Sequence, residues 1–196
     1  TVQQLVDKYY TSNDFSMLRD RTKKDYQYFL GVMCDSFGDV NFDNLSSKQA
    51  KHAYEEWVVR GISFANHICT VSSIVFRYAI DMEYAQINPF ASVRRKTPPQ
   101  RKVVWTEEDV RQFLDTAYSE FHWRSIGLIV HMAYDWCQRL GDMRLLTWDN
   151  FDFANRKLSL EQSKRRSQVT LPIEDDLYDM LIHQEQDFGF QQYVVP

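Results

Sequence analysis

The residues most suited to chemistry lie in the stretch CQRLGDMRLLTW, from Cys137 to Trp148. It directly follows an apolar run, SIGLIVHMAYDW, which we predict to be a buried helix. Arg139 lies just after the end of that run, and Gly141 and Asp142 follow it closely. Because burying an unpaired guanidinium is costly, Arg139 either pairs inside the protein or faces an anion that binds later.

Positive charge is concentrated in two short stretches, although the whole chain has a formal net charge of -4. The stretch RRKTPPQRK, Arg94 to Lys102, carries five positive charges and no negative one, and KRR follows at 164–166. The segment 174–187 carries six acidic residues and no Lys or Arg, which is typical of a solvated helix face. Because salt screens charge beyond about 10 Å, a polyanion responds to the local patch more than to the sum. The distribution therefore favours a nucleic-acid partner.

The other residues that could carry chemistry show no site pattern. Cys34, Cys69 and Cys137 are scattered and odd in number, which favours a reducing, intracellular setting. His131 and Asp135 stand four apart, but no third ligand is nearby, so we interpret the histidine as a core or rim residue. We expect no metal, no cofactor and no membrane partner. With no signal peptide and no apolar run long enough to span a bilayer, we expect a cytoplasmic, DNA-associated protein.

The Pro98–Pro99 pair marks the clearest boundary, because proline forbids regular helix there. We divide the chain into a helical domain at 1–96, a basic linker at 97–104 and a second domain at 105–196. The first part is predicted to form four amphipathic helices. They are expected from Val2, from a Thr22 cap to Gly38, from Ser46 or Ser47 to Gly61, and from Ser63 to the INPF stretch.

The second part changes character after the linker. Thr106 is expected to cap a helix with acidic residues in its first turn, where the helix dipole favours them. The apolar helix around 126–134 and a short helix from Arg139 follow. The acidic segment after Pro172 is expected to start another helix.

Two stretches before that last helix, KLSLEQSK and SQVTLPI, alternate like strands. Leu158 and Leu160 would face Val169 and Leu171, with KRRS, 164–167, as the tip. We therefore expect a mainly α chain, in which a four-helix bundle precedes a partial α+β domain with a small antiparallel hairpin.

The stretch CQRLGDMRLLTWDNFD with the hairpin LSLEQSKRRSQVTLPI resembles the first half of the catalytic domain of tyrosine recombinases, the phage integrase family. That family carries an arginine motif of the form G-x-R-x-x-[DE]-x-x-x-L-x-W-x-D and a hairpin lysine. Arg139, Asp142, Leu146 and Trp148 match the motif, while Cys137 and Asn150 depart from it. The first part resembles the family's core-binding domain in Thr22 with Tyr26, in FG at 37–38, and in YAI…INP from Tyr78 to Pro89.

The resemblance implies roles for three residues. Arg139 would be the first of two arginines that clamp the scissile DNA phosphate, since a guanidinium contacts phosphate oxygens bidentately and stays charged. Lys164 matches the hairpin lysine, which in the family protonates the leaving 5′ oxygen. Asp142 is interpreted as support for the site. The competing interpretations are a structural ion pair for Arg139 and a solvated turn for Lys164.

Further DNA contacts are expected from the ends of two bundle helices, from the linker and from the hairpin tip. Asparagine suits adenine and lysine suits phosphate, so we expect Asn66 to read bases and Lys24 to contact the backbone. The expected DNA-binding residues are Arg21, Lys23, Lys24, Ser63, Asn66, His67, Arg94, Arg95, Lys96, Arg101, Lys102, Arg165 and Arg166.

The second half of the family pattern does not follow Pro172. His183 has no arginine behind it in a His-x-x-Arg box, and Tyr178 and Tyr193 lie too close to the hairpin to match the nucleophile. We therefore interpret the sequence as a fragment that contains no nucleophile and is inactive by itself.

The sequence thus predicts part of a site-specific DNA recombinase, an integrase of a phage or another mobile element. The resemblance implies that the full-length protein forms a 3′-phosphotyrosine and works as a homotetramer on double-stranded attachment-site DNA. The fragment is expected to be a monomer or weak dimer. Two other classes stay open: a non-catalytic helical DNA-binding regulator on the same scaffold, and a helical protein-interaction module, against which the basic linker argues.

Overall fold

The computed structural model describes residues 1–100 and 102–195, and the chain divides into two compact units, Thr1–Arg101 and Lys102–Pro196. The described residues are mostly helical, with one small antiparallel sheet in the second unit. The predicted mainly α fold class is therefore confirmed. Within the described ranges, no helix is long and apolar enough to cross a membrane.

The first unit is built from helices throughout its described part. They are α1 (Val2–Tyr10), α2 (Asn13–Ser16), α3 (Asp20–Phe37), α4 (Ser47–Val58) and α5 (Ile62–Asp81). Ser46 caps α4 reciprocally with Gln49, which fixes the start that the sequence left between two serines. The single turn α2 is additional to the four predicted helices, and Ser12 caps it by accepting from the Phe15 N–H at 3.2 Å.

Helix α5 carries the centre of the first unit's core. It packs against α1, α3 and α4, because apolar residues cover most of its circumference. Ile68, Val75 and Phe76 are completely buried, and each such side chain contributes about 1.5–3 kcal/mol. The same core encloses Tyr54 of α4, whose hydroxyl is a polar group that must find partners.

The start of α3 differs from the prediction. The helix begins at Asp20 with Arg19 as its extended N-cap, so Thr22 lies within the first turn. The Asp20 carboxylate is favoured there by the helix dipole, and the Lys23 N–H already donates to the Arg19 carbonyl at 2.9 Å. The expected Thr22 cap is therefore wrong.

The second unit combines helices with a three-stranded sheet. Its helices are α6 (Glu107–Ser119), α7 (Arg124–Asp135), α8 (Leu140–Met143) and α9 (Asp175–Phe188), and its strands are β1 (Phe151–Asp152), β2 (Lys157–Glu161) and β3 (Gln168–Pro172). Thr106 caps α6 as expected: its hydroxyl accepts from the Asp109 N–H at 3.2 Å, and its own N–H donates to the Asp109 carboxylate at 2.7 Å.

The sheet has the order β1-β2-β3, with both pairs antiparallel. Leu158 lies opposite Leu171 and Leu160 opposite Val169, which is the predicted register. The sequence did not indicate β1, because a strand of two residues is too short to show an alternating pattern.

The core of the second unit joins α7, the sheet and α9. Leu128 and Met132 of α7 cluster there with Leu158 of β2 and Leu177 of α9, all completely buried. The side-chain N–H of Trp136 donates to the Pro172 carbonyl at 2.7 Å. This bond ties the end of α7 to β3, immediately before the arginine motif.

Helix α7 is buried on one face only. Ile126 and Tyr134 are 45% and 50% exposed, whereas Leu128 and Met132 are completely buried. The expectation of a wholly buried helix is therefore wrong. An apolar run lacks the charged residues that would mark its outer face, so periodicity alone could not orient it.

Candidate functional site

Arg139 is positioned by a tight backbone turn between α7 and α8. Cys137 adopts a φ of 50°, in the left-handed region, and Arg139 follows as the extended N-cap of α8. Glycine is the residue that reaches this conformation without steric cost, which explains why the family motif has glycine at the position of Cys137. The departure at Cys137 therefore keeps the turn at the cost of local strain.

The Arg139 side chain is only partly used inside the protein. It is 44% exposed, and one terminal nitrogen lies 3.6 Å from the Asp142 carboxylate, whose side chain is 3% exposed. That separation is an ion pair rather than a tight bidentate bond. Part of the Arg139 side chain therefore stays exposed to solvent, where an anion could bind it.

Asp142 connects Arg139 to the hairpin. One carboxylate oxygen accepts the Ser163 backbone N–H at 3.2 Å, and the other is buried with no hydrogen bond among the described residues. A buried carboxylate needs nearby positive charge, which Arg139 supplies. Asp142 thus contacts both the arginine and the residue directly before Lys164.

A second contact holds the hairpin to the arginine turn. The Gln162 side-chain amide donates to the Gln138 side-chain oxygen at 2.6 Å, and Gln138 in turn donates to the Trp136 carbonyl at 2.9 Å. We call the Gln162–Gln138 and Ser163–Asp142 bonds the hairpin latch. Sequence reasoning missed both glutamines, because an isolated Gln in a turn carries no pattern.

The hairpin tip presents positive side chains to solvent. Lys164 and Arg165 are exposed in the turn, which the Arg166 N–H closes by donating to the Gln162 carbonyl at 2.8 Å. Arg166 has a φ of 57° and pairs with Glu161 at 3.4 Å, so its charge is partly balanced. The structure thus places Lys164 one residue beyond the latch, while its role stays a prediction.

Asn150 is the second departure from the motif. Its side chain both accepts and donates hydrogen bonds, and an ionised aspartate could only accept them. Its side-chain oxygen accepts from the Thr147 N–H at 2.8 Å, and its amide donates to the Ser159 carbonyl at 3.0 Å. A carboxylate could replace the acceptor but not the donor. Asparagine therefore connects the arginine motif to β2.

The described basic residues in and beside the linker are exposed, but one of them is already paired with a carboxylate. Arg94, Arg95 and Lys102 are exposed, and Arg101 lies outside the described residues. Lys96 forms an ion pair with Glu55, both about half exposed. Such a surface pair is weak and screened by water, so DNA phosphate could compete for Lys96.

The bundle residues that are expected to contact DNA lie on α3 and α5. The side chain of one of them, Asn66, is already hydrogen-bonded to neighbouring residues. Lys24, Ser63 and His67 are exposed, Lys23 is half-buried, and Arg21 is exposed with an ion pair to Asp25 at 3.5 Å. His67 stacks on Phe29 at a centroid distance of 5.3 Å.

Asn66 is the exception, because its amide group is bonded within the first unit. Its oxygen accepts from the Tyr54 hydroxyl at 2.8 Å, and its nitrogen donates to the Lys96 carbonyl at 2.9 Å. The amide oxygen and nitrogen that would hydrogen-bond to adenine are therefore both bonded within the protein, which argues against base recognition by Asn66.

His131 has partners on both ring nitrogens. The Tyr118 hydroxyl lies 2.9 Å from Nδ1, and Asp135 lies 3.3 Å from Nε2. Burial lowers the pKa of His131 and raises that of Asp135. Among the described residues no group of three or more His, Cys, Asp or Glu could hold a metal.

Known proteins resemble this chain in sequence over residues 104–192 and in structure over nearly its whole length. Residues 104–192 match the model of the phage integrase family. A lambda integrase dimer bound to a COC' core site matches with a TM-score of 0.83 at 18% identity, over 98% of this chain and 56% of that one. A lambda integrase tetramer bound to a Holliday junction gives 0.85 at 19%, over 100% and 57%. The Tn1549 transposon integrase in complex with circular intermediate DNA gives 0.79 at 17%, over 99% and 70%.

The chain spans a little over half the length of the lambda integrase chains that it matches. No curated protein sequence matches it. At these identities the structural likeness establishes the fold. The resemblance seen in the sequence is thereby confirmed: residues 104–192 match the phage integrase family model, and the chain has the fold of the integrases in these structures.

Proposed function

We propose that this chain is the DNA-binding part, with the first half of the catalytic site, of a site-specific DNA recombinase. The observation that carries the proposal is the hairpin latch. It ties the hairpin residues directly before Lys164 to the turn that carries the half-exposed Arg139, in a chain whose residues 104–192 match the integrase family model. Arg139 and Lys164 are the two residues that the family motif assigns to phosphate chemistry.

Arg139 and Lys164 would divide the work on one phosphate. The planar Arg139 fork contacts the non-bridging oxygens and stabilises the charge that gathers there in the transition state, worth about 10²–10³ in rate for one donor. The Lys164 ammonium, on a flexible stem at the tip, gives a proton to the leaving 5′ oxygen. In the full-length protein a tyrosine would attack the phosphorus and leave a 3′-phosphotyrosine.

DNA binding would come mainly from phosphate contacts. The exposed cations of the linker and of the hairpin tip, with Lys24 and His67 on the bundle, supply a basic footprint on an otherwise acidic chain. The lambda integrase structures contain a dimer and a tetramer on DNA. We infer that the full-length protein also assembles as a homotetramer on double-stranded DNA.

A binding and trapping experiment tests this function. The chain should select a preferred sequence from a randomised duplex library, yet form no covalent adduct with a nicked copy of that sequence. Arg139→Gln should weaken binding, while Arg144→Gln, an exposed arginine of the same short segment, should not. Failure to bind duplex DNA would refute the proposal, and a covalent adduct would refute the absence of a nucleophile.

The roles of the two residues are separable in a recombination-competent form of the protein. Lys164→Ala should cleave slowly, and a substrate with a 5′-bridging sulfur, whose thiolate leaves without a proton, should restore much of the rate. Arg139→Lys should lose activity without such rescue, because a point charge cannot replace the fork. Rescue of both variants, or of neither, would contradict this division of roles.

A further inference from the structure

Near the end of the first unit, the backbone N–H and carbonyl of Lys96 are both hydrogen-bonded to side chains of the bundle. The Lys96 backbone N–H donates to the Tyr54 hydroxyl at 2.7 Å, and the Lys96 carbonyl accepts from the Asn66 amide at 2.9 Å. The Tyr54 hydroxyl also donates to the Asn66 oxygen at 2.8 Å. These three bonds close a ring that we call the linker anchor.

The anchor is rigid because its parts belong to the core. Tyr54 is 1% exposed in α4, and Asn66 lies on the neighbouring α5, which packs against α4. Burial of the Tyr54 ring leaves its hydroxyl one fixed position, and the ring of bonds satisfies that hydroxyl as both donor and acceptor. An anchor of this kind fixes a backbone direction as well as a position.

The residues around the anchor extend its effect along the basic stretch. Val93 is buried just before it, and the Lys96 ammonium pairs with Glu55. Pro98 and Pro99 follow almost at once, and their rings restrict the backbone further. Few free backbone rotations therefore separate the anchored peptide from Arg94 and Arg95, which directly precede it.

We propose that Tyr54 and Asn66 are positioning residues that fix the backbone direction of the basic residues 94–96 at the surface of the first unit. Arg94 and Arg95, which stand directly before the anchored peptide, then approach DNA phosphates together without a further loss of backbone entropy. The proposal replaces base reading by Asn66 with a structural role. It rests on the proposed function only in naming DNA as the ligand.

Hydrogen exchange without DNA tests the anchor by itself in the full chain. The Lys96 amide should be protected. Tyr54→Phe removes only the hydroxyl group, which accepts from the Lys96 N–H and donates to Asn66, and it should speed exchange of the Lys96 amide about fivefold or more. The matched control is Tyr10→Phe, which removes a hydroxyl from another tyrosine packed against the same core. A Lys96 amide that exchanges equally fast in the parent and in Tyr54→Phe would overturn the proposal.

Binding to mixed-sequence duplex DNA tests the consequence. Tyr54→Phe should raise Kd about threefold or more and lower the salt slope, although its hydroxyl is buried away from DNA. Asn66→Ala removes the amide bonds to Lys96 and Tyr54 without adding charge beside the basic residues, so it should weaken binding similarly. Thermal unfolding of each variant identifies any loss that merely follows global stability.

The outcomes separate the anchor from the proposed function. If Asn66 reads adenine, Asn66→Ala would weaken only the selected sequence and Tyr54→Phe would bind like the parent, which overturns the proposal. If the parent chain binds no duplex while Lys96 protection depends on Tyr54, the recombinase function fails together with the DNA role of the anchor. Loss of protection and of mixed-sequence affinity together supports both.

Discussion

Cys137 holds the turn that aims Arg139, and its φ of 50° is unfavourable for any residue with a Cβ atom. Cys137→Gly should therefore raise the free energy of unfolding by up to about 1 kcal/mol, since the relief of strain exceeds the entropy that glycine gains in the unfolded chain. Cys137→Ala should have little effect, because alanine keeps the Cβ atom. Thermal or denaturant unfolding measures both, and equal stability of the two variants would contradict the strain.

Arg139 and Asp142 should be coupled in stability. Arg139→Ala leaves the buried Asp142 carboxylate without its cation and should cost about 2 kcal/mol, less than in a fully buried pair because Arg139 is 44% exposed. Asp142→Asn removes that need, so the double variant should be about as stable as Asp142→Asn alone. Arg139→Lys should stay close to the parent, because lysine keeps the charge.

A double-mutant cycle by denaturant unfolding measures this coupling. Strict additivity of the two single changes would show that Arg139 does not stabilise the Asp142 carboxylate. The same Arg139→Lys protein then serves the activity test, because its fold would be intact while lysine cannot bind the phosphate in a bidentate way.

At the scale of elements, the hairpin is attached to the arginine turn by side chains and not by the sheet. Gln162→Ala removes one bond of the latch and should speed exchange of the Ser163 amide about fivefold, the effect of one hydrogen bond on local opening. The β2–β3 register should persist, because its backbone pairs do not involve that side chain. Amide exchange measured by NMR reports both.

Gln168→Ala is the matched control, because Gln168 lies in the same hairpin and donates to Glu161 at 3.2 Å without touching the arginine turn. It should leave the Ser163 amide unchanged. If both variants loosen the tip equally, the latch is no more than part of general hairpin stability.

At the scale of the whole molecule, the proposed DNA binding should depend on where positive charge is concentrated. Replacing Arg94, Arg95 and Lys102 with Ala should weaken binding to all duplex sequences alike. The slope of log K against log salt should fall by about 0.9 for each DNA phosphate that the variant no longer neutralises. Titrations over a range of salt concentrations measure this slope.

The control changes net charge equally in another place. Lys48, Lys51 and Arg77 are exposed on α4 and α5, outside the basic stretch. Their replacement with Ala should leave the slope close to that of the parent. A similar decrease in both triple variants would mean that net charge, rather than the linker, governs binding.

The sequence by itself determined most of the longer elements and pointed to the two candidate catalytic residues. The apolar spacing of α5, the Thr106 and Ser46 caps and the alternation in β2 and β3 are local signals, which neighbours in sequence create. The arginine motif and the hairpin lysine were recognisable for the same reason, since each lies within one short stretch. The Thr22 cap failed because Asp20 and the dipole competed locally for the helix start.

Only the tertiary structure decided which polar side chains have partners. Asn66 bonds to a carbonyl 30 residues away, and Gln162 bonds to a side chain 24 residues away. Asp142 is buried against the hairpin 21 residues on, which no local pattern indicates. Hydrogen bonds of this kind form only after packing has excluded water and brought distant segments together, so the anchor and the latch could not be predicted from residue order.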